Sequence, residues 1–170
     1  MSDINRPTLG PLMSLTCFHY LLRGAEDNAG RALVVAAGRQ RGQELVDALS
    51  LRGFSQDPEA IRQKLDAALG VDGTRLCLVQ SVEAKADGSY EIHITEGACT
   101  AGVSSDEPYC AFTLGVFIGA MGAITDRACS ATSPYARRWA PQSASTRSPR
   151  STNELRVGHV LKAPSRCGRS

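Results

Sequence analysis

Along the first 125 residues the apolar positions follow two periods, and the change from one to the other outlines the fold. "PTLGPLMSLTCFHYLLRGAED" places Leu12, Met13, Leu15, Phe18 and Leu22 at helical spacing, predicting a helix from about Pro11 to Arg23, ended by Gly24. A second helix is expected over about Asn28 to Leu51, with an apolar stripe of Leu33, Val34, Ala37, Leu45, Ala48 and Leu49 and a stop at Gly53. Gly38 and Gly42 share a face of that helix and weaken it unless another element packs closely against them. "DPEAIRQKLDAALG" carries its own punctuation: Asp57 as cap, Pro58 at the first helical position, Gly70 at the end.

Over "TRLCLVQSVEAKADGSYEIHITE" the pattern turns to alternation. Leu76 and Leu78 alternate with polar residues, and so do Tyr90, Ile92 and Ile94. Asp87-Gly88 between the two runs signals a hairpin. "GACTAGVSS" reads as a loop. Asp106, Glu107 and Pro108 then open an apolar helix, read as amphipathic, from about Glu107 to Thr125. Three helices, a hairpin and a further helix predict an α+β domain, with N-terminal helices packed on a small antiparallel sheet. A lone two-stranded hairpin is marginal, so something after Thr125 should pair with it.

The sequence beyond Thr125 is rich in Ser, Arg, Pro and Ala, without helical or strand period, and reads as a disordered tail. Charge changes at the same point. Residues 1–125 hold 10 Lys/Arg against 15 Asp/Glu, whereas residues 126–170 hold 9 against 2, so the overall +2 conceals an acidic domain and a basic tail. The division is thus 1–125, a ligand-binding domain, and 126–170, a basic Ser/Arg/Pro-rich tail. Unpatterned arginine supports only salt-sensitive, non-specific nucleic-acid binding, so no specific nucleic-acid partner is expected.

The polar N-terminus lacks the pattern of a signal peptide. The longest near-apolar run, Ala111 to Thr125, is too short for a transmembrane segment. Six dispersed cysteines without a CxxC argue against a disulfide scaffold and for a cytoplasmic protein with reduced thiols. No dinucleotide-binding Gly-x-Gly-x-x-Gly, phosphate-binding loop or nucleophile elbow occurs. His19 and His93 are isolated, and Cys17 and His19 do not share a helix face. Glu96, Cys99 and Cys110 are acceptable metal-ligand types, but their spacing does not make a compact strand-pair site.

The stretch "SDEPYCAFTLGVFIGAMGAIT" resembles the 4-vinyl reductase domain family, which shares a fold type with transport-complex subunits. The entry matches at Glu107, Pro108 and Cys110, and Gly115, Gly119 and Gly122 supply the small helix face. The resemblance covers about residues 8–125. It implies a module binding a hydrophobic ring compound, such as a tetrapyrrole intermediate of chlorophyll or bacteriochlorophyll biosynthesis. Two alternatives stay open: the 4-vinyl reductase enzyme itself, acting on a chlorophyllide-type vinyl group, and a regulatory protein with a basic nucleic-acid-binding tail. By analogy the chain is a homodimer. The ligand is expected between the first helix and the helix at 107–125, lined by Phe18, Leu22, Phe112, Phe117 and Met121.

Intact family members continue after this helix with Glu-x2-Cys-x3-Gly-x3-Cys, and in phenol-sensing relatives these residues join the helix-start cysteine as zinc ligands. That half is absent here. However, permitted codons for Arg127 through Pro149, read two bases out of phase, give "GLLGHEPVCAAMGAPECVYEIA", which contains the missing pattern. The third bases are free choices, but most first and second bases are set by the residues, and Trp139 has a single codon. The tail is therefore read as a frameshifted translation, against the alternative of a natural basic tail. Cys110 would be a zinc ligand only with the frame after Asp126 restored. In the chain as written it is expected to be a small buried hydrophobe.

Overall fold

The computed structural model describes residues 14–100, 110–127, 130–132 and 159–162, for the last two segments as backbone only. The elements are α1 (Leu15–Ala29), α2 (Arg31–Ala48), α3 (Pro58–Leu69), β1 (Leu78–Ala84), β2 (Tyr90–Thr95), α4 (Ala111–Thr125), β3 (Ser130–Thr132) and β4 (His159–Lys162). The class is α+β, with helices on a small antiparallel sheet.

Helix α1 starts where Ser14 accepts a hydrogen bond from the Cys17 N–H. The expected stop at Gly24 is corrected: the helix passes through it to Ala29. A glycine inside a helix costs only about 1 kcal/mol, whereas Gly30, with φ of 83°, leaves helical space outright. The predicted start at Pro11 lies outside the described residues. Helix α2 is shorter than expected at both ends. Helix α3 obeys its punctuation, with the Asp57 carboxylate accepting from the Ala60 N–H at 2.9 Å, Pro58 in the first turn and Gly70 after the last residue.

Of the stripe expected to bury α2, Val34 and Leu45 are buried and the other four positions are corrected. Leu33 and Leu49 are 63% and 47% exposed. The buried positions are Val34, Gly38, Gly42, Leu45 and Val46. The helix turns its glycines inward because α4 lies against them. A Cβ built on Gly38 would stand 3.1 Å from the Gly115 Cα, and one on Gly115 would stand 2.9 Å from the Gly38 Cα. Gly42 meets the backbone of Val116 and Ala120, and Gly119 that of Arg39. Two backbones so close leave no room for side chains between them. Each helix thereby supplies the close packing that offsets the other's glycine cost.

Helix α4 is not amphipathic. Thirteen of its fifteen residues are buried, as expected of a helix that is apolar all round. Its two buried threonines are satisfied locally. Thr125 donates to the Met121 carbonyl at 2.6 Å, and Thr113 pairs with the Cys99 thiol at 2.9 Å. Phe117, Met121 and Ile124 enter the main core together with Ile61, Leu65 and Leu69 of α3, Val79 and Val82 of β1, and Ile92 and Ile94 of β2.

The hairpin forms as the alternation predicts on β2, where Tyr90, Ile92 and Ile94 are buried. At the turn, Gly88 takes a φ of 79°, and Asp87 Oδ1 accepts from the Ser89 N–H and hydroxyl. On β1 the alternation is broken. The pairing runs Val79 with Ile94, then Ser81 with His93, leaving Gln80 as a bulge. The extra residue shifts the phase, so Val79 and Val82 both point inward while Leu78 is only half buried. Beside the bulge, Asp66 of α3 accepts from the Val79 N–H at 2.9 Å, tying helix to strand.

The sheet order is β1-β2-β4-β3, with every pair antiparallel. The hairpin thus gains partners from beyond Thr125. Within the tail, Ser130–Thr132 and His159–Lys162 form the two short strands β3 and β4. The open N–H and C=O groups of β2 offer a pairing template that does not require the incoming segment to be apolar. The rest of the tail lies outside the described residues.

Candidate functional site

Where α1, α2 and α4 converge near the end of α3, they enclose a cleft of about 440 Å³. Leu15 and Phe18 contribute from α1, Arg41 and Leu45 from α2, and Phe112 and Val116 from α4. Leu69, Thr74, Arg75 and Leu76 close it from the end of α3 and the turn after it, with Ala98 beyond β2. Phe18 and Phe112 meet edge to face, with ring centroids 6.4 Å apart at 84°, a favoured aromatic geometry. Both are half buried, so each keeps ring surface for a guest.

Long-range polar contacts fix the position of α1. His19 donates from Nε2 to the Ala98 carbonyl, pinning the helix to the turn that closes the cleft. Glu26 accepts from the Ala111 N–H at 3.2 Å, across 85 residues of chain. The first N–H groups of α4 have no partner within the helix, and Cys110 gives no side-chain cap. Glu26 therefore caps α4 from α1, where a carboxylate also suits the positive end of the helix dipole. Arg31 lies 3.4 Å from the same carboxylate.

Next to the cleft, Leu22, Cys99 and Cys110 form a small buried cluster with Phe18 and Phe112 packed on it. The two thiols are hydrogen-bonded. Interaction with Cys99, together with burial, pushes the Cys110 thiol far above the ordinary range. The same interaction, assisted by Thr113, holds the Cys99 thiol below its ordinary value against the burial that opposes it. Cys77, buried elsewhere in the core, is pushed up to about 12, chiefly by burial. Glu96 is exposed, on the left-handed turn after β2. Among the described residues, no three His, Cys, Asp or Glu side chains are grouped to hold a metal ion. His93 lies on the sheet surface, 3.3 Å from Glu91.

Of the five lining residues expected from sequence, Phe18 and Phe112 line the cleft and Leu22 packs in the cluster behind them. Phe117 and Met121 lie in the main core and not on the cleft wall. They face away because the neighbouring glycine face of α4 is taken by α2. Sequence reasoning misses Glu26, Arg41, Thr74 and Arg75. Arg41 sits one position before Gly42, whose burial would have marked its neighbourhood. Nothing in the local sequence around Glu26 signals a partner so distant in the chain.

Among the described residues, no helix is long and apolar enough to cross a membrane. No known protein-family profile matches the chain, and no curated protein matches it either.

Proposed function

We propose that this protein is a small-molecule-binding module whose cleft between α1, α2 and α4 takes a hydrophobic ring compound. The observation that carries the reading is the Phe18–Phe112 edge-to-face pair on the wall of an otherwise mainly apolar cleft. About 440 Å³ falls in the range of about 300–1,000 Å³ usual for small-molecule sites. The resemblance to 4-vinyl reductase domains narrows the class toward conjugated rings, with a tetrapyrrole intermediate as the extended case. Holding such a ring needs no residue that transfers hydride or protons. Binding without turnover is therefore favoured over reduction of a vinyl group.

The neutral, environment-sensitive naphthalene dye prodan tests the reading. Its emission should shift to the blue and saturate with the protein, and Phe112→Ala should weaken binding without unfolding the chain. Unchanged affinity in Phe112→Ala would place the dye elsewhere. Protoporphyrin added in competition distinguishes the tetrapyrrole case from smaller rings.

The homodimer belongs to the same proposal. Tyr20, Leu21 and Leu33 are exposed on α1 and α2, with Tyr20 at 76%. Large apolar side chains left in solvent on two adjacent helices are candidates for a protein contact. Sedimentation should give twice the chain mass at micromolar concentration, and a clean monomer would refute it. Zinc belongs to a chain with the other reading frame after Asp126. Expressing both forms and measuring zinc content tests that part, and equal, negligible zinc in the two would end it.

A further inference from the structure

We infer that the ring compound held in this cleft carries a carboxylate, bound by Arg41 and Arg75. The inference rests on the binding reading above and deepens it by naming the chemistry of the ligand's polar end.

The cleft wall is asymmetric in charge. Among the described residues its polar side chains are Arg41, Arg75 and Thr74, with no Asp or Glu. Arg41 is half buried on α2, one residue before a glycine locked against α4. Its backbone is therefore fixed and only the side chain can adjust. Arg75 is held differently. Its φ of 56° turns the backbone after α3, and its Nε donates to the Val71 carbonyl at 3.2 Å. That bond orients the guanidinium through Nε and leaves the two terminal nitrogens to a ligand.

Three other arginines have carboxylate partners, Arg31 with Glu26, Arg52 with Asp47 and Arg62 with Glu59. Arg23 and Arg39, like the cleft pair, have no such ion pair among the described residues but do not line the cleft. Arg41 and Arg75 are in no ion pair among the described residues. Guanidinium groups match carboxylates in planar, two-pronged geometry. At Arg41, half buried beside the apolar wall, such a pair is stronger than in open water, while Arg75 meets the ligand from the exposed rim. Thr74 adds a hydroxyl for a further hydrogen bond. Apolar walls with two cations, and no anion among the described lining residues, fit an amphiphilic guest, its ring against Phe18 and Phe112 and its acid toward Arg41 and Arg75. A neutral hydrocarbon would leave both arginines unused.

The experiment displaces prodan with naphthoate and, separately, with its methyl ester, which keeps the ring and removes the charge. Naphthoate should compete about tenfold better, the size expected of a hydrogen bond to a charged group. Added salt should reduce its advantage and leave the ester unaffected. In the double variant Arg41→Gln, Arg75→Gln the preference for acid over ester should fall to about one, with the melting temperature retained. Arg41→Lys, Arg75→Lys should recover part of it, since charge returns without the planar fork. Equal displacement by acid and ester, or a preference that survives the glutamine variant, overturns the carboxylate assignment alone. Failure of prodan and both naphthalenes to bind overturns the cleft reading with it.

Discussion

Helices α2 and α3 lie one after the other in the chain and both bury aliphatic residues, but only α2 also buries two glycines. Helix α3 turns Ile61, Leu65 and Leu69 into the core, and its stability comes from apolar area removed from water. Helix α2 turns in Gly38 and Gly42 and leaves Leu33 and Leu49 largely in solvent. What it gains is backbone proximity to α4, with dispersion contacts along two main chains. The two modes fail in opposite directions. A site like α3 is damaged by taking atoms away, and a site like α2 by adding them. The difference also reaches the cleft, because the α2–α4 contact sets the distance between Arg41 and Leu45 on one wall and Phe112 and Val116 on the other.

The largest effect should come from filling the glycine contact. Gly115→Leu is expected to cost on the order of 5 kcal/mol, because its Cβ meets the backbone of Arg39 and Gly38 and the helices must part. With total stability of about 5–15 kcal/mol, that variant should be unfolded or nearly so in a chemical-denaturation series. Wild-type stability in Gly115→Leu would break the comparison. Emptying the other site comes next. Ile61→Ala should cost about 2–5 kcal/mol by transfer and cavity terms, measured as a shift in denaturation midpoint at constant slope. Asp57→Ala removes the α3 cap and should cost about 0.5–2 kcal/mol.

The comparison sharpens at Gly24. It lies inside α1 with nothing within 4 Å of a built Cβ. Gly24→Ala should therefore stabilise by roughly 0.4–1 kcal/mol, by lowering unfolded-state entropy and raising helix propensity. One methyl group thus helps at one helical glycine and harms at another. The smallest effect concerns thiol chemistry and leaves stability unchanged. Cys17 is exposed and should alkylate readily in the native protein. Cys77, with its thiol pushed up to about 12, should remain unmodified at pH values well below that, since little thiolate forms there. Peptide mass mapping after brief alkylation reads both, and early labelling of Cys77 would contradict the burial described.

Legibility divides along the same line. Helix α3 is readable to its caps because every signal is local: Asp57, Pro58, an apolar stripe and Gly70. Strand β2 is readable because alternation is local too. The buried face of α2 is half legible: Val34, Leu45 and the Gly38–Gly42 pair stand out, but a hydrophobic stripe assumes that area drives packing and so wrongly adds Leu33 and Leu49. Strand β1 loses its phase at Gln80, since a bulge depends on the partner strand. The cleft is half legible. Phe18 and Phe112 stand out as aromatics on two expected helices. Arg41, Arg75 and the Glu26 cap depend on tertiary approach across distant parts of the chain. The short tail strands carry too few residues to show a period; β4 pairs on the free edge of β2, and β3 pairs on β4.

The central claim is that the close α2–α4 approach builds a small-molecule cleft at Phe18 and Phe112. An amide NMR titration with prodan tests it most directly. The account predicts saturable shifts concentrated at Phe18, Leu45, Thr74 to Leu76, Phe112 and Val116, with α3 around Glu59 to Gln63 unmoved. Shifts gathered instead on the outer face at Tyr20, Leu21 and Leu33, or no saturable shifts at all, would contradict it.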